Sequence, residues 1–316
     1  MPLAADDLRT RQAAKAVDRS KKAVVHLFEE VRLGRSIELT RLAPIVALLS
    51  KEVEQNANAL LEVLRLKNKS EYTYLHSVAV STMMLLLGRA MGYAGTDLAE
   101  LGLAGLLHDI GKMDVPSRIL DKPDRLTDIE FASIRSHPTL GHELLLNVPN
   151  LPEVARNVCL FHHEKIDGSG YPFGRTKNEI SVAARMGAIC DVYDALTSDR
   201  AYKSAWSPNE ALHAMRDWSG HFDQDILAIF MQALGIYPVG SLVSVRGSSL
   251  GIVLSENPKC PTRPIVRTFY SIARRCQIGR EDVTIGADGI LAIQDPAMWS
   301  FEDWKALSVE LMAVPI

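Results

Sequence analysis

One heptapeptide carries most of the information in this sequence: residues 106–112 read Leu-Leu-His-Asp-Ile-Gly-Lys. A helix made mostly of Leu, Ala and Gly presents His108 and Asp109 at its end, and burying such a pair is costly unless it is hydrogen-bonded, ion-paired or metal-bound. Adjacent helical positions diverge by about 100°, so one metal takes both only near a helix end or through a bridging carboxylate. We expect Gly111 to end the helix in left-handed geometry and return Lys112 to the site. Alone, a His-Asp pair is more often a cap without chemistry.

Working outward, histidine and aspartate recur at predicted helix ends and on inward-facing helical positions. Pro138 predicts that a capped helix ends at His137, because the residue before proline is pushed out of helical geometry. Asp191 falls on a helical face of small residues, which leaves its carboxylate pointing into a tight interior. Five histidines and two aspartates in such places are hard to explain as packing, and we take them as candidate metal ligands: His76, His108, Asp109, His137, His162, His163 and Asp191.

The types of ligand in this set narrow the chemistry. Imidazole and carboxylate without thiolate suit Fe, Mn, Zn, Ni or Co. Seven ligands are too many for one catalytic ion with an open position, which favours two metals about 3.5–4 Å apart. Such pairs bind phosphoryl oxygens and lower the pKa of a bridging water, which indicates phosphoester hydrolysis. No CxxC pair supports a cysteine-zinc site or a disulfide scaffold among Cys159, Cys190, Cys260 and Cys276.

Two further segments are candidates for the rim of this site. Residues 162–172 read His-His-Glu-Lys-Ile-Asp-Gly-Ser-Gly-Tyr-Pro, in which Gly168 and Gly170 allow positive φ and close backbone approach. Such a turn is common on protein surfaces, but directly after two candidate ligands it indicates a site rim. Arg200 and Lys203 follow Asp191 toward the end of its helix, where they could hold an anion. Either charge alone would be an ordinary solvated side chain.

The coarse organisation of the chain is mainly α, with a small β module at the C-terminal end. Helical periodicity runs to about residue 240, after which three short β-type runs are separated by turn residues: Leu242–Val245, Gly251–Leu254 and Ile265–Phe269. A last helix is predicted near Phe301–Leu311. We predict an N-terminal helical region over 1–59, a catalytic domain over 60–238 and the β module with its helix over 239–316.

Composition places the chain among ordinary globular proteins. Of 316 residues, 47% are hydrophobic and 23% are charged, and the formal net charge is −3. This balance excludes a disordered polymer and gives no reason to expect nucleic-acid or membrane affinity. The start lacks a signal region, and the longest apolar stretch, around 78–87, is too short to span a bilayer. The expectation is a cytoplasmic protein without a membrane span.

Taken together, the motifs resemble the HD-GYP family, bacterial phosphodiesterases of cyclic di-GMP within the HD metallohydrolase superfamily. The resemblance runs from about Leu60 to Gly235 and is specific, because generic HD hydrolases lack the segment at 162–172. It implies an HD-type helical bundle that acts in second-messenger signalling. It also implies that one metal is held by His76, His108, Asp109 and Asp191, and the other by His137, His162 and His163 with Asp109 bridging.

The same resemblance assigns roles to residues around the metals. Lys112 would contact the scissile phosphate or protonate the leaving oxygen, and substrate phosphate would be held by Arg200 and Lys203. The loop formed by Gly170, Tyr171 and Pro172 would border the substrate pocket and contact GGDEF-domain proteins. Iron is the metal implied first, with manganese as the alternative. Members with a third metal carry Glu four residues before the first histidine, where this chain has Tyr72, so we predict two divalent metal ions.

The leading interpretation is therefore a phosphodiesterase in which a bridging hydroxide opens cyclic di-GMP to pGpG, with GMP as an open further product. One alternative is a hydrolase of another cyclic dinucleotide or nucleotide. A second is a catalytically weak cyclic di-GMP receptor that acts through protein contacts. The heptad spacing of Val17, Val24 and Val31 suggests a homodimer, although a single packed amphipathic helix fits this spacing equally well.

Overall fold

The computed structural model describes residues 2–65, 72–120, 122, 127–198, 205–237, 239–255, 257, 263–286, 289–294, 296–299, 301 and 303–313. The chain divides into two compact units. The helical unit comprises Met1–Ser207 with Ala214–Ile229, and the C-terminal unit comprises Pro208–His213 with Phe230–Ile316. The domain limits at 59/60 and 238/239 stay predictions.

The helices follow one another along the first three quarters of the chain, as the periodicity predicted. Short 3-10 helices occupy Ile110–Asp114 and Lys177–Glu179. The described part of the chain holds no helix with the length and apolar character needed to cross a bilayer. The α-helices up to the first strand are α1 (Pro2–Arg32), α2 (Leu39–Arg65), α3 (Tyr72–Ala90), α4 (Gly95–Leu107), α5 (Ser117–Leu120), α6 (Asp128–Arg135), α7 (His137–Leu146), α8 (Glu153–Phe161), α9 (Val182–Thr197), α10 (Pro208–Asp217) and α11 (Gln224–Ala233).

Helix α3 lies at the centre of the helical unit and contacts α1, α2, α4 and α9. It is apolar nearly all round, as a helix enclosed by neighbours must be, and its Val78, Met84 and Leu85 are fully buried. Gly105 lets α4 approach α3 closely, because a Cβ at this position would lie 2.6 Å from the Ser81 Cα. The helix that carries the first histidine is thereby fixed against the helix that carries the second.

The valine stripe of α1 is buried inside the chain. Val17, Val24 and Val31 are each less than 9% exposed, and α1 packs against α2 and α3. This is the arrangement that the packed-helix alternative describes. Dimerisation stays a prediction.

The helix boundaries near the site follow the capping signals, with two corrections. Thr127 caps α6 through a reciprocal bond with Glu130, as the sequence predicts. The prediction that a helix ends at His137 is wrong: α6 ends at Arg135, and His137 begins α7 with Pro138 in the first turn, where a missing N–H is tolerated. Left-handed geometry at Gly111 is also wrong, since this glycine has a negative φ within a 3-10 helix.

The C-terminal unit contains a five-stranded antiparallel sheet in the order β4-β3-β2-β1-β5. Its three predicted runs form β1 to β3. On one face, Val243, Val253 and Val266 form a core, and on the other Leu250, with Phe269, packs with the aromatic side chains near the last helix. The elements are β1 (Leu242–Val245), β2 (Ser249–Ser255), β3 (Ile265–Ser271), β4 (Cys276–Thr284), β5 (Ile290–Ile293) and α12 (Trp304–Ala313).

Candidate metal centre

The seven candidate ligands converge from separate elements of the helical unit. Six of them are buried, and the His163 side chain is 21% exposed. Burying this many imidazole and carboxylate groups together carries a large desolvation cost that their mutual contacts must offset. The elements that supply them are α3 for His76, the end of α4 for His108 and Asp109, the start of α7 for His137, the end of α8 for His162 and His163, and α9 for Asp191.

Four of the imidazoles use Nδ1 as a hydrogen-bond donor. The Nδ1 of His108 donates to the Gly105 carbonyl at 2.8 Å, and that of His137 donates to the Ile134 carbonyl at 2.7 Å. His162 donates to two carbonyls of its own helix, each at 3.0 Å. The fourth, His76, donates to a carboxylate oxygen of Asp194 at 2.7 Å. A carbonyl or carboxylate only accepts, so the proton is on Nδ1 in each ring.

The remaining nitrogens of these rings face one another. The Nε2 atoms of His76 and His108 are 3.3 Å apart, and those of His137 and His162 are also 3.3 Å apart. In neutral imidazole with Nδ1 protonated, Nε2 carries a lone pair and no proton. Two such lone pairs in buried contact need a cation between or beside them. This donor chemistry fits a transition-metal ion, with Nδ1 hydrogen bonds fixing each ring as in other histidine metal sites.

Asp109 lies where the two imidazole pairs meet. Its Oδ2 is 3.3 Å from His108 Nε2, and its Oδ1 is 3.2 Å from His137 Nε2. Although fully buried, Oδ1 accepts no hydrogen bond from the described part of the chain. A buried carboxylate oxygen without a donor is rare unless it binds an ion. Asp109 therefore offers one carboxylate oxygen to each of the two imidazole pairs.

The ligand atoms form two groups that share Asp109. Within each group they lie no more than 4.8 Å apart. Asp191 contacts both groups, with Oδ1 2.9 Å from His76 Nε2 and Oδ2 3.7 Å from His163 Nδ1. One group is His76, His108 and Asp109, and the other is Asp109, His137, His162 and His163. The structure thus brings together all seven residues that the sequence singled out.

The electrostatics of the centre favour ionised carboxylates and, at His162 and His163, neutral imidazoles. Burial is the main reason that the pKa of His162 falls to about 3, and it also holds the pKa of His163 well below its usual value. Burial alone would raise the pKa of Asp109, but its contacts with His108 and with the Lys112 ammonium outweigh burial and hold this pKa well below its usual value. Neutral nitrogen and anionic oxygen are the protonation states in which these side chains bind metal.

Lys112 returns to the centre from the 3-10 helix that follows α4. Its Nζ lies 2.5 Å from Asp109 Oδ2, with 20% of the side chain exposed. The close passage of this segment under α7 depends on Gly111, because a Cβ there would collide with the His137 carbonyl and the Gly141 amide. Gly111 therefore allows the close approach to α7, and the 3-10 turn brings Lys112 back to the site.

The segment after His163 forms a loop that is tied to Glu164. Although Glu164 is only 3% exposed, its carboxylate accepts the backbone N–H groups of Phe173 at 2.8 Å and Arg175 at 2.9 Å. Gly168 has φ of +81°, and Gly170 allows a close approach to the backbone of Glu164. Positive φ is therefore found at Gly168 and close backbone approach at Gly170, while Gly170 itself has no positive φ.

Tyr171 of this loop lies directly against the centre. Its ring stacks on His163 with centroids 4.7 Å apart, and its backbone N–H donates to the His163 carbonyl at 3.2 Å. The Cζ of Arg135 lies 4.5 Å from the centroid of the same ring. The loop therefore borders the centre, and Tyr171 separates a histidine of the centre from an arginine at the rim.

The chain is similar to several known proteins. Residues 46–226 match the HD domain family. The chain is 44% identical over 306 residues to the cyclic di-GMP phosphodiesterase PA4108 of Pseudomonas aeruginosa, a match that covers 94% of this chain and 74% of that protein. The chain belongs to the HD-GYP family.

Two further proteins match the chain at lower identity. The chain is 35% identical over 171 residues to the 3'3'-cGAMP-specific phosphodiesterase 3 of Vibrio cholerae, with 54% of this chain and 37% of that protein covered. The solved structure of Bd1817, an HDG"Y"P protein from Bdellovibrio bacteriovorus, matches with a TM-score of 0.56 and 20% identity. The match covers 68% of this chain and 69% of that one, and it supports the fold.

Some site residues fall outside the sequence predictions, and others fall outside the described structure. Arg200 and Lys203 lie beyond the described residues. Asp194 was not predicted from the sequence, although its position three residues after Asp191 on α9 places both carboxylates on one helical face. Glu164 lies within the 162–172 segment, and nothing in its position alone indicates that its carboxylate holds the loop up to Arg175 through backbone hydrogen bonds.

Proposed function

We propose that this chain is a metal-dependent phosphodiesterase that opens cyclic di-GMP to linear pGpG. One observation carries the proposal: four imidazoles whose Nδ1 protons are held elsewhere turn their Nε2 lone pairs toward a shared, buried carboxylate. The family relationship and the name of the Pseudomonas relative support cyclic di-GMP as the substrate.

Two divalent ions would occupy the centre, with iron as the first choice and manganese as the alternative. Asp109 would be shared by both ions, and Asp191 would complete the site between His76 and His163. When bound, such a pair polarises a phosphodiester and generates a nucleophile from water at neutral pH. The imidazole and carboxylate donors suit either metal.

The chain's own residues would complete the reaction around this pair. Lys112 presents an ammonium group at the edge of the centre, 2.5 Å from Asp109 Oδ2. There it would neutralise charge on the scissile phosphate or give a proton to the leaving 3' oxygen. Tyr171 and Gly170 would close one side of the pocket and limit the access of water. Arg200 and Lys203 would hold substrate phosphate.

Product analysis on anaerobically metal-loaded protein tests the proposal. Cyclic di-GMP should be consumed and pGpG should accumulate in chromatography with mass-spectrometric detection, and later sampling decides whether GMP follows. Absence of turnover with either iron or manganese under reducing conditions would refute the enzymatic assignment. Tight binding without turnover would instead favour a receptor.

A second candidate substrate is 3'3'-cGAMP, because a Vibrio relative that is 35% identical carries that specificity in its name. Both dinucleotides present the same ring of two phosphodiesters and differ at one base. Comparing kcat/KM for the two under identical metal loading decides between them. We expect cyclic di-GMP to be preferred, and a higher value for 3'3'-cGAMP would reverse the assignment.

We also propose that the loop at Gly170, Tyr171 and Pro172 contacts GGDEF-domain proteins. The exposure of Phe173 (57% relative accessibility) beside this loop supports a protein contact, because a large exposed apolar side chain at a site rim is costly in water. Binding of a purified GGDEF domain should weaken in Phe173→Ala and stay unchanged in the exposed control Met298→Ala. Equal binding by both variants would overturn this proposal.

A further inference from the structure

Arg135 is the last residue of α6 and stands two residues before His137. Its Cζ lies 4.5 Å from the Tyr171 ring centroid, and that ring stacks on His163 at 4.7 Å. The guanidinium is thus one aromatic ring away from the metal centre. This placement brings a permanent positive charge to the rim of a site proposed to bind a dianionic substrate.

The guanidinium of Arg135 has no counter-ion within the described part of the chain. Its side chain is exposed, and no hydrogen bond or ion pair joins it to another described residue. Two other arginines of the helical unit differ, because Arg175 pairs with Glu179 and Arg185 pairs with Asp223. Contact with Tyr171 orders the guanidinium while leaving its N–H groups available, and this planar set of donors matches two phosphate oxygens.

We propose that Arg135 holds the second, non-reacting phosphodiester of a cyclic dinucleotide while the first lies at the metal centre. This rests on the proposed function. Lys112 already supplies a cation at the centre through its contact with Asp109. Since the ring of Tyr171 intervenes, Arg135 is displaced from that point and fits an anion farther along the substrate. A cyclic dinucleotide carries such an anion, whereas a simple phosphodiester does not.

Two substrates separate this role from a role at the centre. Cyclic di-GMP has two phosphodiesters, and bis(p-nitrophenyl) phosphate has one. In Arg135→Ala, KM for cyclic di-GMP should rise about 10- to 100-fold, as expected for a lost charged hydrogen bond, with kcat within about threefold. Both kinetic constants for bis(p-nitrophenyl) phosphate should be unchanged, as should metal content and Tm.

Two variants control the experiment. Arg135→Lys keeps the charge but loses the planar fork, so its KM should lie between those of the wild type and Arg135→Ala. Arg274→Ala removes an exposed arginine from the C-terminal unit and should leave all constants unchanged. If Arg135→Ala has a lower metal content or a lower Tm than the wild type, the KM of Arg135→Lys decides the test instead.

Unchanged KM for cyclic di-GMP in Arg135→Ala overturns the proposal. Equal losses on both substrates also overturn it, because Arg135 would then act on the reacting phosphate. If the wild type hydrolyses only bis(p-nitrophenyl) phosphate, the proposed substrate fails independently. Calorimetric binding of a hydrolysis-resistant phosphorothioate analogue of cyclic di-GMP then decides the role of Arg135, with weaker binding by Arg135→Ala expected and equal binding contradicting it.

Discussion

His76 donates its Nδ1–H to Oδ2 of Asp194 over 2.7 Å, across 118 positions of the chain. Asp194 is buried on α9, one helical turn after Asp191. Helix α9 therefore supplies one carboxylate to the centre and a second that orients the imidazole of His76. Burial alone would lower the pKa of His76, but its contacts with the carboxylates of Asp191 and Asp194 outweigh burial and raise this pKa. The carboxylate fixes the tautomer and increases the basicity of Nε2.

Asp194→Ala should weaken metal binding about 10- to 100-fold, the usual effect of removing a residue that orients a histidine ligand. Asp194→Asn keeps an accepting oxygen and should lose less. Chelator competition monitored by metal content measures both. Asp217→Asn, an exposed aspartate outside the centre, serves as the control. If Asp194→Ala binds metal as tightly as the wild type, Asp194 does not orient a metal ligand.

Gly111→Ala should destabilise the protein by about 1–3 kcal/mol, because the new methyl group collides with backbone atoms that cannot move away freely. The collision includes the His137 carbonyl, so metal content should fall as well. Gly279→Ala is the matched control, since its Cβ would meet no atom within 4 Å. Thermal unfolding and metal analysis of both variants check this, and a Gly111→Ala protein as stable as the control would contradict it.

Glu164→Ala should loosen the rim loop while leaving the metal ligands in place. It strands the backbone N–H groups of Phe173 and Arg175, at a cost of about 1–3 kcal/mol for each donor that stays buried. We expect a raised KM for cyclic di-GMP with unchanged metal content. Glu164→Gln retains one good acceptor and should be milder. Loss of metal without a change in KM would show that Glu164 acts on the centre instead.

Asp282 should make the stability of the C-terminal unit depend on acid pH. Its carboxylate accepts two hydrogen bonds from the buried Arg267, at 2.6 and 2.7 Å. This hydrogen bonding is the main reason that the pKa of Asp282 is lowered. A lowered carboxyl pKa stabilises the fold above the unfolded value of about 3.9, and this stabilisation is lost as pH falls through the folded pKa.

Asp282→Asn should therefore cost about 1–3 kcal/mol at pH 7, less than for a fully buried pair because Asp282 is partly exposed. The difference from wild type should shrink below about pH 4. Calorimetric unfolding of the full chain across pH 3–7 measures it. A difference that stays constant over this range would rule out the ion pair as its source.

The sequence was sufficient for the candidate ligands because each lies in a local motif that keeps its residue types and spacing. The sequence was insufficient to predict the hydrogen-bond partners of these ligands. Which nitrogen of His76 is protonated depends on ring orientation and on Asp194 from a distant helix. The role of Arg135 was not predicted either. An arginine at a helix C-terminus is common, and only the structure shows its contact with the Tyr171 ring.

Two wrong predictions and the omission of strand β4 have physical causes. His137 begins a helix because proline is accepted in a first turn, so the same Pro138 that ends one helix starts another. Gly111 is needed for space and not for positive φ, which the sequence cannot distinguish. Strand β4 escaped prediction because it is an edge strand whose exposed, charged side chains lack hydrophobic alternation.

Metal stoichiometry of the anaerobically purified chain tests the central claim most directly. We predict two first-row divalent ions per chain in the wild type, and loss of both in Asp109→Ala together with all hydrolysis of cyclic di-GMP, because this carboxylate serves both ligand groups. An Asp109→Ala protein that retains its metal and full activity would contradict the account.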